Sequence, residues 1–567
     1  MKFKTALLGA AAAFVLAPAA YAERGTDGEV KLTFPQAVSI MNPYLSSGTK
    51  DIYASSIVVE PMAGYDNNGN LIAIMAAEIP SLENGGISED LTSITWKLKP
   101  GLMWSDGTAV TADDAIFTWQ YCTHPEGGCA QLSKFEGVTN VEAVDASTVK
   151  VTFAAAKPNP FSAFTGATSP ILQKAQFEVC LGAAAPTCTD PNNMPIGTGP
   201  FKVTGFTVND TVTYEANANY RDPAKPAFAT AVIKGGGDAE GSARAVMETG
   251  EFDYAWNTQI PPDSQASMAA AGKGQFVVAF GTLIERLEMN MTDPSADLPE
   301  GERSTAKHPH PILSDIKVRE ALSKAIDRSI LVEVGYGAGG VPSCNVIPAP
   351  AAWASDNTGC IAQDMPGAMA LLDEAGWKDS DGDGIRDKDG KKLSILYQTT
   401  VNPVRQDFQA LIKDWWTELG VEVELKAIDP SVFFGGDAGS PDTFQKFYAD
   451  VEMYANNFDG TDPESYLTQY KCDKAPSPEN QWQGENMNRF CDAGYDTLVA
   501  ELSQTRDVAK RQEIAKKLND MVTKDSFTVV ALVHRGTLSA HSNALGGVLI
   551  NAWDSELWNI ADWVRVK

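Results

Sequence analysis

The sequence predicts an α/β protein built from two or three domains, and three observations carry that prediction. In PVRQDFQALIKDWWTELG (403–420), Phe408, Leu411, Ile412, Trp415 and Leu419 fall on one helix face, and Gly420 stands at its C-terminal stop. VEVEL follows at once, where Val421, Val423 and Leu425 alternate as a strand. SDIKVREALSKAID (314–327) reads as a second helix, with Ser314 as its cap and Val318, Leu322 and Ala325 turned inward. Strand and helix segments alternate without a short internal repeat, the pattern of an α/β fold. The 567 residues, 44% hydrophobic with 12 Trp, supply material for more than one core.

The first 22 residues read as an export signal. Lys2 and Lys4 precede the apolar run ALLGAAAAFVLA, and Ala20-Tyr21-Ala22 suits a cleavage site. The apolar run is too short to span a bilayer. The first cysteine is Cys122, so no lipid anchor is expected at the cleavage point. A soluble, exported, periplasmic monomer follows. The formal net charge of −28 removes nucleic acid and anionic membrane from the expected partners, because both need a basic footprint.

The stretch ITWKLKPGLMWSDGTAVTADDAIFTWQY (94–121) concentrates three tryptophans and several acids. Ile94, Trp96 and Leu98 alternate with polar residues as a half-buried strand. Pro100-Gly101 and Asp106-Gly107 supply turn chemistry. Thr111 and Asp114 have capping-box spacing, and Ala112, Ile116 and Trp119 follow on one helix face. Asp106, Asp113 and Asp114 therefore read as turn and cap residues rather than a catalytic pair.

The eight cysteines occur as sequence neighbours, and an oxidising compartment favours disulfides between them. The expected pairs are Cys122–Cys129, Cys180–Cys188, Cys344–Cys360 and Cys472–Cys491. Loops rich in Pro and Gly lie at 194–200, 295–311 and 337–353. The first two are expected near domain crossings.

Several short motifs carry little. Gly335-Tyr-Gly337-Ala-Gly339-Gly340 satisfies G-x-G-x-x-G, but a helix precedes it where a dinucleotide site needs a strand. Ser47-Gly-Thr-Lys50 and Ser314-Asp-Ile-Lys317 match S-x-x-K without its companion motifs. His308 and His310 sit in a Pro-rich loop and read as solvated. DSDGDGIRDKDG (379–390) places Asp379, Asp381, Asp383 and Asp387 at calcium-loop positions, yet Gly390 stands where a bidentate Glu belongs. A polar turn without a cofactor is the expectation there, with calcium as the alternative. No metal is expected elsewhere.

Taken together these segments resemble the family 5 extracellular solute-binding proteins of ABC importers, the peptide- and nickel-binding type. The resemblance rests on DGTAVTADDAIFTW (106–119), PIGTGPFKV (195–203), IKVREALSKAIDRSILVEVGYG (316–337), LLDEAGWKDSDGDGIRDKDGKKL (371–393), NFDGTDPESYL (457–467) and NMNRFCDAGYDTLV (486–499), in that order. It implies a two-lobe venus-flytrap fold with an extra subdomain inserted in lobe I. Lobe I is expected at 23–60, 196–285 and 535–567, the inserted subdomain at 61–195 and lobe II at 286–534. The implied function is capture of a peptide or peptide-like solute in the interlobe cleft and delivery to a membrane permease, without enzymatic turnover.

By the same resemblance, Asp459 of DGTDP holds the position that pairs with a peptide α-amino group, and Asp462 is the second acid. The cleft is expected to include Asp459, Asn457, Asn456, Tyr454, Trp256 and Tyr53. The chain departs from the pattern in two places. MYANNFD replaces a common Gly-Trp, and the Arg that dipeptide binders use for the ligand carboxylate falls near Thr399, while Arg405 is expected at a helix start. Longer peptides, opines and oligosaccharides therefore stay open. A secreted hydrolase is the remote alternative, since two carboxylates brought together by the fold would serve a glycosidase.

Overall fold

The computed structural model describes residues 23–299 and 301–566; the expected export signal lies outside the described residues. Two mixed β-sheets organise it. The first orders its strands Gly274–Ala279, Thr537–Ser542, Tyr254–Ala255, Glu29–Phe34, Thr230–Gly235, Thr211–Ala216 and Phe201–Thr207. Its central strand Glu29–Phe34 pairs parallel with both neighbours and buries Val30, Leu32 and Phe34 completely. The second sheet runs Gly340–Pro342, Val529–Arg535, Ile284–Met289, Val451–Asn456, Ser394–Thr400 and Glu422–Ile428.

The chain passes between the sheets twice, and both passages are short. Residues 280–283 join Ala279 to Ile284, and Gly536 alone separates Arg535 from Thr537. Glycine is required at each. A Cβ on Gly281 would lie 2.1 Å from the Ala552 carbonyl oxygen, and one on Gly536 would lie 2.4 Å from Val278 Cγ1. Two adjacent, nearly bare crossings are the geometry of a hinge between lobes. The loop 295–311 was expected near a crossing and is not. It folds back on the second lobe, where Thr292 bridges Pro309 and Arg489 Nε donates to the Ser304 carbonyl oxygen. A Pro-rich composition marks a loop but not its destination.

A third, antiparallel sheet of Ser93–Lys97, Thr148–Phe153 and Val138–Asp145 carries the helix Ala112–Thr123 on its face. Here Trp96 and Trp104 are buried with Phe117 and Tyr121 in one core. Thr111 and Asp114 form the capping box, and Asp106 accepts from the Thr108 backbone and hydroxyl. The buried helix face is Ala115, Thr118, Tyr121 and Cys122, whereas Ile116 and Trp119 of the expected face are half-buried at its flank. All four expected cysteine pairs are joined.

The second lobe packs the helices Ile316–Lys324 and Pro403–Glu418 on its sheet. Asp315, not Ser314, caps the first, accepting from the Lys317 N–H. In the second, Phe408, Ile412 and Trp416 form the sealed stripe, and Trp415 and Leu411 flank it half-buried. Trp416 Nε1 finds the Leu322 carbonyl oxygen, so this indole can be fully buried at little polar cost. His308 and His310 go to separate acids, Glu302 and Asp450, each at 2.8 Å. Gly337–Gly339 is a short 3-10 turn following the helix Arg328–Gly335, which excludes a nucleotide loop.

Candidate functional site

Between the two sheets lies a cavity with about 1490 Å³ of empty space, part of it open to solvent. Each lobe supplies a wall. The first contributes Tyr53 from the helix Thr49–Ser56 and Trp256, just past the strand Tyr254–Ala255. The second contributes Tyr454 and Asn456 at the end of Val451–Asn456, then Asn457, Phe458 and Asp459. Ser133 and Lys134 reach in from the inserted region. All six residues expected at the cleft line this one space.

Their roles in the wall differ. Tyr53 and Trp256 meet edge to face, with ring centroids 5.8 Å apart. Tyr454 presents mainly its ring, because its hydroxyl lies 3.3 Å from both Arg286 and Glu288 in the lobe interior. Asn456 Nδ2 donates to Gln469 Oε1, and its Oδ1 accepts from the Asn457 N–H. The strand that carries them is clamped antiparallel to Ile284–Met289 and parallel to Ser394–Thr400, so the loop leaving it is anchored at its root.

Asp459 is the residue most changed by tertiary structure. Its Oδ2 accepts from Thr168 Oγ1 at 2.5 Å and lies 3.6 Å from Lys134 Nζ, both across the lobe interface. Oδ1 carries no hydrogen bond among the described residues. Asp462, the second acid of the motif, is spent on structure: Arg511 binds it at 2.7 Å and Glu464 at 3.0 Å. Burial nevertheless raises the Asp462 carboxyl above its usual value. Thr399 is buried with its hydroxyl on the Met453 carbonyl oxygen and does not line the cavity.

Two arginines do line it. Arg405 stands in the first turn of its helix, with Nε 2.7 Å from Glu285 Oε1. Arg535, the last residue before the glycine crossing, lies 3.2 Å from Glu285 Oε2 with its guanidinium over the Tyr336 ring. Burial pushes the Glu285 carboxyl up, but Arg405 and Arg535 outweigh it and hold the group below its usual value. Glu285 answers both guanidinium groups, and Glu556 of the first lobe also feels Arg535 but is kept largely protonated by burial below pH 7, so the pole is net positive there. On the opposite wall, burial raises Glu556 to about 7, although Ser539 and Tyr254 donate to it. Burial and the neighbouring Asp459 charge raise Asp554 to about 6.

Sequence reasoning missed Arg535, Lys134, Glu485 and Glu556 as cavity residues. None belongs to a recognisable motif, and each meets its neighbours only through long-range folding. The calcium-loop acids are far more exposed. Asp379, Asp381 and Asp383 bring oxygens within 4.8 Å of one another, but Asp383 is paired with Lys392 and Asp387 is held by the Ser380 hydroxyl. Asp387, at the ninth position, lies outside the cluster that the other three form, and Gly390 offers no side-chain ligand at the twelfth.

Two sheet lobes, joined by bare glycine crossings, face each other across a shared cavity, the arrangement of a hinged binding protein. The pattern of the bacterial extracellular solute-binding proteins, family 5, middle region, matches residues 79–477. The chain belongs to that family, whose members bind solutes for ABC importers and are not enzymes. It is 23% identical over 516 residues to the glutathione-binding protein GsiB of Escherichia coli K12, covering 90% of each chain. The oligopeptide-binding protein AppA of Bacillus subtilis, solved with a nonapeptide, superimposes with a TM-score of 0.79 at 20% identity, over 96% of this chain and 100% of AppA. AgaA of A. tumefaciens R10, solved with agropinic acid, gives 0.76 at 19% identity, over 95% of this chain and 99% of AgaA.

Proposed function

We propose that this protein captures a peptide or peptide-like solute in the interlobe cavity, in the periplasm, and hands it to a membrane permease. The observation that carries this is the pairing of opposite poles in one interlobe cavity. Asp459 offers a free oxygen to a cation, and Arg535 with Arg405 offers a surplus positive charge to an anion. A zwitterionic chain is complementary to both, and charge-assisted bonds strengthen as closure removes water. The solutes named for the relatives, glutathione and a nonapeptide, carry both groups. AgaA with its agropinic acid supports an opine-like solute as the second reading.

Native mass spectrometry of the purified protein identifies a retained solute directly; a peptide is expected. Calorimetry on Asp459→Asn then tests the cationic contact. Removing one partner of a desolvated charge pair costs roughly 2–5 kcal/mol, and about 2 is expected because Lys134 already shares Asp459. That is roughly a 30-fold loss of affinity. Unchanged affinity would move the reading to a neutral solute such as an oligosaccharide. The reading assigns no cofactor: chelation is expected to leave the melting temperature unchanged, and a clear fall would install calcium at 379–390.

A further inference from the structure

Glu485 is a cavity acid that the zwitterion reading does not use. Ser133 Oγ donates to its Oε1 at 2.7 Å, while Oε2 is sealed from solvent and receives no hydrogen bond among the described residues. The nearest cations are committed elsewhere: Lys474 lies 3.0 Å from Glu136 and Lys134 lies 3.6 Å from Asp459. Burial raises the Glu485 carboxyl despite both lysines. A sealed carboxylate oxygen without a donor is costly, so it marks a place where a donor is due.

The backbone beneath it is rigid. The Glu485 and Asn486 N–H groups both donate to the Lys474 carbonyl oxygen, at 2.8 and 3.0 Å, and the Asn486 side chain holds three further carbonyls. Beside it stands an apolar wall. Met487, two residues on and at most about 7 Å away along the chain, packs in one cluster with Phe444 and Tyr454. Phe434 meets Phe444 at 5.5 Å, and Gln483 Nε2 ties that loop to the Glu485 segment through the Gly436 carbonyl oxygen at 3.1 Å. Phe434, Phe444, Tyr454, Met487 and Glu485 all line the cavity.

We propose that this corner is a subsite for a long basic side chain of the bound peptide. The aliphatic stem lies on Phe434, Phe444 and Met487, and the ammonium or guanidinium head pairs with the Glu485 carboxylate, which turns to bring Oε2 to it. Aromatic faces favour a cation above them, and an apolar stem with a polar tip suits such a corner. A net charge of −28 draws cationic solutes toward the cleft. The assignment rests on the peptide reading and deepens it from peptide to basic peptide.

The test is calorimetry with tri- and pentapeptides of alanine carrying one lysine, at each position in turn, against the same peptides carrying norleucine. At one position lysine is expected to bind about 30-fold tighter than norleucine. In Glu485→Gln that preference should collapse while norleucine affinity stays, which also reports that the variant folds. Equal affinity of the two series in the native protein overturns the subsite and leaves the peptide reading standing. A lysine preference that survives in Glu485→Gln overturns it as well. If no peptide of the set binds, the peptide reading falls and takes the subsite with it. Should the variant not fold, the lysine–norleucine comparison on the native protein still decides.

Discussion

The two charged ends of the cavity are built in opposite ways. At the hinge end, Glu285, Arg405 and Arg535 all come from the second lobe and its exit strand, and Glu285 is fully buried. At the mouth, every pair joins the inserted region to the second lobe: Lys134 with Asp459, Lys157 with Glu464, and Glu136 with Lys471 and Lys474. Opening the lobes leaves the first set intact and breaks the second. Charges buried within one lobe therefore hold the framework, whereas charges shared between lobes bias the open–closed equilibrium. A solute adds to that bias only through contacts made in the closed state.

The largest expected effect breaks the hinge cluster. Glu285→Gln strands two buried guanidinium groups and is expected to cost about 3–5 kcal/mol of folding stability, read from urea unfolding. A loss below about 1 kcal/mol would mean that the cluster is solvated and that the comparison fails.

Next comes Glu556, on the first-lobe wall. Its folded carboxyl titrates near 7 against an ordinary 4.5, so the folded state holds its proton more tightly than the unfolded chain. That stabilisation is complete below about pH 4.5 and is lost as pH rises through 7, on the order of 3 kcal/mol. Relative to Glu556→Gln, the native protein should lose melting temperature between pH 5 and 8. Parallel profiles for the two proteins would remove this group from the account.

The smallest effect belongs to the mouth. Glu136 is partly exposed and bridges Lys471 and Lys474, so Glu136→Gln should change unfolding by less than about 1 kcal/mol. Small-angle scattering of the solute-free variant should nonetheless show a more open average shape. High salt should do the same to the native protein, since screening weakens exposed pairs first. A variant as closed as the native protein would assign closure to apolar contacts instead.

Much of this was legible because it is local. The Thr111–Asp114 box, the helix ending at Gly420 and the four cysteine pairs depend on residues close in the chain. Two of the errors were local and small. Asp315 displaced Ser314 as a cap, and Trp416 displaced Trp415 in the core, because one residue along a helix turns a side chain by 100° and packing selects the phase.

The site divides differently. Motif order brought Asp459, Asn456, Asn457 and Tyr454 to the cleft, together with Trp256 and Tyr53, and all of them line it. Sequence by itself determined the α/β alternation, the Thr111–Asp114 cap and the membership of one family, because propensity, periodicity and motif order are written in neighbouring residues. Only the tertiary structure decided that Lys134 would meet Asp459 and that Arg405 and Arg535 would share Glu285. It alone left Glu485 Oε2 without a donor. Charge partners are chosen by distance and burial in space, and residues hundreds of positions apart carry no local mark of the neighbour they will find.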